Sequence, residues 1–305
     1  MVIRDDVSPI STARPDPGSA ATMRLRTVLS DTGDSRAEVR LDGLWCATTA
    51  PDVGALLAHP AWRTGPRLAE RQPALQGSPA PVVTTPRKVI CCGHNYRSHI
   101  AEMGRPEPEY PTLFTKFADT LTAWDADIAL PGDPESVLLD WEAELAVVVG
   151  AVLHRVDHAT ARAGIAGYTV ANDFSIRTWQ RHTSQWLPGK AFDATTPLGP
   201  ELVTPDEVDP ADGLRIVCRV NGVEEQIGST ADLVFDPAAL LSYISGFTTL
   251  RPGDVVLTGT PGGVGIAAEP PRYLRAGDVV ETEIDGLGLL RNHITVLAPD
   301  NHTAR

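Results

Sequence analysis

Cations are scarce in this chain of 305 residues: 26 Lys and Arg stand against 39 Asp and Glu, a formal charge of −13 at pH 7. With no surplus of cations to displace phosphate counterions, nonspecific binding to nucleic acid or to an anionic membrane surface is not expected. Lysine is the rarer cation, present only as Lys88, Lys116 and Lys190. Cysteine is sparse too. Cys46, Cys91, Cys92 and Cys218 form no CxxC pair and have no histidine at zinc-finger spacing, which argues against structural zinc. Cys91 and Cys92 lie in the apolar segment 89–92 and read as small buried thiols, in keeping with a reducing, cytoplasmic setting. No apolar run approaches about 18 residues, and Asp5 and Asp6 stand where a signal peptide would carry cations. Secretion by that route and a membrane span are therefore not expected.

What is present is an ordinary globular mixture, 42% apolar and 21% charged, with 26 Gly and 26 Pro. That composition supports a sizeable core cut by many turns into short strands. Residues 1–22 hold Pro9, Pro15, Pro17 and Gly18 without apolar periodicity and read as a mobile tail. Residues 23–85 read as a small β-rich N-terminal domain and linker, with Asp42-Gly43 as a hairpin turn and a short helix near 52–57. Residues 86–298 read as the main domain. Strands are expected at 89–92, 144–149, 214–220, 254–257, 279–284 and 292–296, and helices near 96–103, from 157, and at 237–245. Asn221-Gly222 marks a second hairpin. Regular βα alternation is missing, so the fold class is mainly β (α+β), not a doubly wound sheet.

Three segments carry chemistry. In Leu139-Asp140-Trp141-Glu142-Ala143-Glu144, acids recur every second residue before an apolar strand, so strand geometry points them to one side. Converging carboxylates repel unless a cation or basic partners compensate, and without Cys or His they suit a hard ion such as Mg²⁺, Mn²⁺ or Ca²⁺. An acidic edge strand would show the same pattern. Asp173 ends a second apolar strand and offers a third carboxylate. Lys190 sits in an apolar, turn-forming context and could bind a carboxylate or stabilise an enolate. His99 and Glu102 lie one helical turn apart, the minimum for a general base activating water. The loop Thr258-Gly259-Thr260-Pro261-Gly262-Gly263 lacks the lysine of a P-loop and the spacing of a dinucleotide fingerprint, so it reads as a close approach to a small ligand.

Taken in order, Gly93-x-Asn95-Tyr96-x-x-His99-x-x-Glu102, Asp140-Trp141-Glu142-x-Glu144, Ala171-Asn172-Asp173-x-Ser175-x-Arg177-x-Trp179-Gln180, Gly189-Lys190-x-Phe192-Asp193 and Thr258-Gly259-Thr260-Pro261-x-Gly263 resemble the fumarylacetoacetate hydrolase family across about residues 87–298. The resemblance implies a β-sandwich roll preceded by a small N-terminal domain, assembled as a homodimer. It implies Glu142, Glu144 and Asp173 as ligands of a divalent cation, most often Mg²⁺. Lys190, Gln180, Thr260 and Arg177 would hold the substrate, and His99 with Glu102 would form a catalytic dyad on a lid. Some relatives place a further acidic ligand where this chain has His94-Asn95-Tyr96. The implied substrate is a 2-oxo acid or 1,3-diketo acid. The leading expectation is metal-dependent C–C hydrolysis of an acylpyruvate. The alternatives are a decarboxylase or an isomerase/tautomerase of a 2-oxo (di)acid on the same scaffold, and a non-catalytic binding homologue.

Overall fold

The computed structural model describes residues 22–63, 72–130 and 137–297. All but one residue of the expected tail at 1–22 lie outside them. Strands dominate. One sheet of 12 strands runs in the order Gln72–Pro73, Leu44–Ala47, Ser35–Leu41, Arg24–Ser30, Thr196–Val203, Ile165–Asn172, Ala143–Val149, Val255–Leu257, Val89–Gly93, Thr112–Lys116, with Gly77–Pro79 and Leu121–Thr122 joined beside this path. A second sheet orders Val223–Ser229, Arg215–Val220, Val279–Ile284, Gly288–Val296 and Ile128–Leu130.

Ala143–Val149 and Ile165–Asn172 are buried at every position, as their near-continuous apolar sequences require of strands covered on both faces. Alternation then feeds two cores. Leu145, Val147 and Val149 pack with Ile216, Val280 and Leu290 of the second sheet. Ala146 and Val148 face the other way, into a core shared with Leu56, Leu57 and Val83. This is the expected sandwich. The sheet also curls: Leu121–Thr122, just after the edge strand Thr112–Lys116, pairs in parallel with Thr196–Val203.

The N-terminal strands are part of the same construction. Arg24–Ser30 pairs antiparallel with Thr196–Val203, and Met23 and Leu25 share a core with Leu198 and Val255. The sheet therefore runs through the boundary expected at 85/86.

Helices are short and capped where polar residues allow. Asp52, Asp157 and Asp236 accept from the backbone N–H of the third residue of the helices Val53–Leu57, His158–Ala163 and Pro237–Ser245. Asp42-Gly43 and Asn221-Gly222 all adopt positive φ, which the tight hairpin turns demand.

Candidate active site

The central ladder ends at Ala143, opposite Asn172. Just beyond it, Asp173 N–H donates to the Glu142 carbonyl at 2.9 Å, so the chain ends carrying Glu142 and Asp173 stay side by side. Asn172 holds the opening: its Oδ1 accepts from Glu142 N–H at 3.0 Å and its Nδ2 donates to Thr282 Oγ1 at 2.9 Å. Glu144 lies one pleat further in. One ligand oxygen from each of Glu142, Glu144 and Asp173 falls within 4.8 Å of the others.

Three cations meet these acids. Lys190 Nζ donates to Glu142 Oε2 at 2.6 Å and Asp173 Oδ2 at 2.7 Å. Lys116 Nζ reaches Asp173 Oδ1 at 2.5 Å. Arg177 Nη1 pairs with Glu142 Oε1 at 2.7 Å. Lys190 and Lys116 are 2% and 3% exposed, so these are buried charge pairs whose members cannot be removed singly without a large cost. Burial opposes ionisation of Glu142, but Lys190 and Arg177 outweigh it and pull its carboxyl down to about 2. Glu144 fares differently: burial, then the negative Asp173 and Glu142, push it well above the usual carboxylate range. Its one hydrogen-bond partner among the described residues is Gly259 N–H at 2.7 Å. A buried carboxyl with so little compensation, beside two more oxygen donors, fits a hard divalent cation.

Gly259 makes that contact possible. At φ +96, a Cβ would lie 2.8 Å from the Cys92 carbonyl oxygen, so a side chain there is barred both by the left-handed backbone and by space.

One sequence expectation changes. Asp140 does not join the acidic cluster. It lies on the strand Leu139–Asp140, which pairs with Ser175–Ile176 and not with the central ladder. Its carboxylate accepts from Gly265 and Ile266 N–H at 2.8 and 3.0 Å and from Arg177 Nε at 2.8 Å. The break at Trp141-Glu142 defeats simple alternation. Arg177, expected to hold substrate, lines the same cavity as the other expected residues and pairs with Asp140, Glu142 and the Gln180 Oε1 that it reaches at 2.9 Å. At 4% exposure it fixes Glu142 and Gln180 in place.

The remaining expected residues converge on one cavity of about 600 Å³, which His99, Glu102, Gln180, Lys190 and Thr260 line together with Glu142 and Glu144. His99 Nδ1 lies 2.9 Å from Glu102 Oε2 on the helix Arg97–Glu102. An ionised Glu102 keeps the proton on Nδ1 and leaves Nε2 as the basic nitrogen. Gly263 N–H also donates to Glu102, at 3.3 Å. Asn95 anchors this segment by bonds to Phe235 and Thr258. Thr260 Oγ1 accepts from Gln226 Nε2 at 2.8 Å, which leaves its own proton free.

Lys116 and Gln226 escaped the sequence reading, and Asn172 entered it only as a motif position without a role. Of these two, Lys116 alone left a trace, as one of only three lysines; it is the last residue of the strand Thr112–Lys116.

Comparison with known proteins gives the family. The model of the fumarylacetoacetate hydrolase C-terminal family matches residues 88–295. The human mitochondrial oxaloacetate tautomerase FAHD2A is 46% identical over 214 residues, 70% of this chain and 68% of that protein. Among solved structures, a fumarylacetoacetate hydrolase from Exiguobacterium antarcticum superposes with a TM-score of 0.79 at 31% identity, covering 90% of this chain and 99% of the other. The 5-carboxymethyl-2-hydroxymuconate delta-isomerase of Mycobacterium smegmatis gives 0.71 at 32% identity, again over 90% and 99%.

Proposed function

Because the chain belongs to the fumarylacetoacetate hydrolase family, we propose that it is a tautomerase or isomerase moving a proton next to the keto group of a 2-oxo acid. The observation that carries this reading is that one cavity holds both a positioned base, His99, and the acid–lysine cluster. The human relative is an oxaloacetate tautomerase and the mycobacterial one a delta-isomerase, which supports proton transfer as the shared chemistry.

Glu142, Glu144 and Asp173 would hold the cation, with Mg²⁺ proposed and Mn²⁺ or Ca²⁺ as alternatives. When bound, it would supply Lewis-acid polarisation of the keto group. The protein's own side chains do the rest. Lys190 has three N–H donors and spends two on Glu142 and Asp173, leaving one for a substrate oxygen. Gln180 keeps its amide N–H₂, since only its Oε1 is engaged by Arg177. Thr260 offers its hydroxyl proton. The unspent groups are thus all donors, suited to a carboxylate and to negative charge growing on the keto oxygen. His99 Nε2 takes the proton from C3 as the C–H pair becomes the C2=C3 bond, and the same nitrogen can return it on ketonisation.

A second reading, C–C hydrolysis of an acylpyruvate, is favoured by the His99–Glu102 pair itself, because an oriented imidazole also activates water. Decarboxylation would use the same enolate. Assembly as a homodimer and a reducing, cytoplasmic location are proposed beside these; all four cysteines are free thiols, and no helix among the described residues is long and apolar enough to cross a membrane.

The test follows enol-oxaloacetate absorbance and acylpyruvate cleavage with purified protein and Mg²⁺. His99→Ala should lower the faster of the two by about 10²-fold or more. Unchanged turnover in that variant would overturn the assigned base.

A further inference from the structure

The strand Val223–Ser229, at the end of the second sheet, inverts the usual order of burial. Val223 and Ile227 are exposed, whereas Gln226 is the one buried residue of the strand. A buried polar group among exposed apolar neighbours is the informative case, because burial without partners would be costly. Pairing with the neighbouring strand shifts at this point: Cys218 stands opposite Gln226 and Arg219 opposite Glu224, which leaves Glu225 as an extra residue. Such a bulge re-aims the side chain beside it. The amide of Gln226 is turned inward, toward the loop that carries Thr260.

The direction of that amide is fixed by the main chain. Oε1 accepts from Ala143 N–H at 2.9 Å, and Nε2 donates to the Pro261 carbonyl at 2.9 Å and to Thr260 Oγ1 at 2.8 Å. A backbone N–H can only donate and a backbone carbonyl can only accept, so these two partners settle which end is nitrogen. The nitrogen end faces Thr260. Thr260 Oγ1 must therefore accept there, and its own proton is turned away from Gln226. Among the described residues the hydroxyl has no other hydrogen-bond partner, and Thr260 lines the cavity with Glu142, Glu144 and Lys190. Loop and strand lie close together along this contact: a Cβ at Gly263 would run into the Glu225 carbonyl oxygen, and one at Gly228 into the Pro261 ring.

We propose that Gln226 is a positioning residue that acts through Thr260, making its hydroxyl an obligatory donor into the cavity and toward a substrate oxygen. The proposal rests on the reading of the cavity as a 2-oxo acid site in which Thr260 holds substrate. Without the amide the hydroxyl is free to rotate, and the Pro261 carbonyl, deprived of its donor, competes with the substrate for the proton. The other end of the same side chain holds Ala143 N–H, between Glu142 and Glu144. A structural role through Ala143 and a positioning role through Thr260 are separable, because only the second disappears when Thr260 has no hydroxyl.

Calorimetry on the full chain with Mg²⁺ and oxalate, a small dianion whose oxygens accept hydrogen bonds, tests this as a double-mutant cycle. Thr260→Val and Gln226→Met should each weaken oxalate binding about tenfold, as expected for one hydrogen bond to a charged acceptor. The double variant should bind within about twofold of Thr260→Val alone, since Gln226 then has nothing to act through. Thr260→Ser retains the hydroxyl, and adding Gln226→Met to it should again cost about tenfold. Losses that add to about a hundredfold in the Val double variant, or wild-type affinity in Gln226→Met, would overturn the proposal and leave the amide as a strut for Ala143. Should Gln226→Met not fold, Gln226→Glu runs the same cycle with the same expectations: it keeps an acceptor for Ala143 N–H but cannot donate to both Thr260 and Pro261. Unchanged affinity in Thr260→Val would instead take Thr260 out of the substrate site, and failure of the wild type to bind oxalate would remove the 2-oxo acid reading; either would end the proposal from a different side.

Discussion

Lys116 and Asp173 sit 57 positions apart in sequence and meet at 2.5 Å with both side chains fully enclosed. Such a pair is costly to break from one side, because the survivor is a charge without water. Lys116→Met should therefore lower the stability of the metal-free protein by about 3 kcal/mol. Added Mg²⁺ should raise its unfolding temperature more than that of the wild type, since the ion would take over Asp173 Oδ1. Thermal unfolding with and without Mg²⁺ checks both, and an unchanged midpoint would contradict the pairing. At this scale the sequence was informative about acids and poor about their partners. Glu142, Glu144 and Asp173 could be found because strand alternation is local. Lys116, Asn172 and Gln226 act across long sequence separations that no local pattern records, and Asp140 was misplaced because the strand breaks beside it.

Among the elements, those written in turn and cap chemistry were the legible ones. The helix Pro237–Ser245 falls at its expected bounds, with Asp236 as cap and Pro237 in the first turn. Gly288–Val296 begins four residues before its expected start: Gly288 has φ +122 and Leu289 is exposed, so its first residues lack the alternating signature. The cap gives a test with a defined pH dependence. Burial opposes ionisation of Asp236, yet the Ala239 N–H and His158 prevail and lower its pKa. A carboxyl lowered in the folded state adds stability above its unfolded pKa of about 3.9 and loses it as pH falls through the folded value. Asp236→Ala should cost about 1 kcal/mol at neutral pH, and in urea titrations the gap from wild type should shrink as pH drops below about 4. A gap independent of pH would rule out the ionised cap.

For the whole molecule, the roll was legible through the resemblance of spaced motifs, whereas the joining of the N-terminal strands to the main sheet was not. Nothing in residues 23–85 announces that Arg24–Ser30 will pair with Thr196–Val203, because strand partners are chosen by shared cores and not by neighbouring sequence. Although the family match begins at residue 88, a fragment of residues 86–305 would expose the Thr196–Val203 edge and strip one side of a core. It should be insoluble or poorly folded by circular dichroism and gel filtration; a monodisperse, cooperatively unfolding fragment would contradict this.

The burial of two of the three lysines has a practical consequence for covalent chemistry. Amine-directed reagents find only Lys88, whose side chain is 27% exposed and 3.6 Å from Asp254, and the terminal amine. Brief treatment of the native protein with an acetylating ester should therefore modify Lys88 while sparing Lys116 and Lys190, and peptide mass spectrometry would read the difference directly. Acetyl groups on Lys116 or Lys190 would then report opening of the catalytic roll, making the scarcity of lysine a built-in gauge of whether the protein is intact.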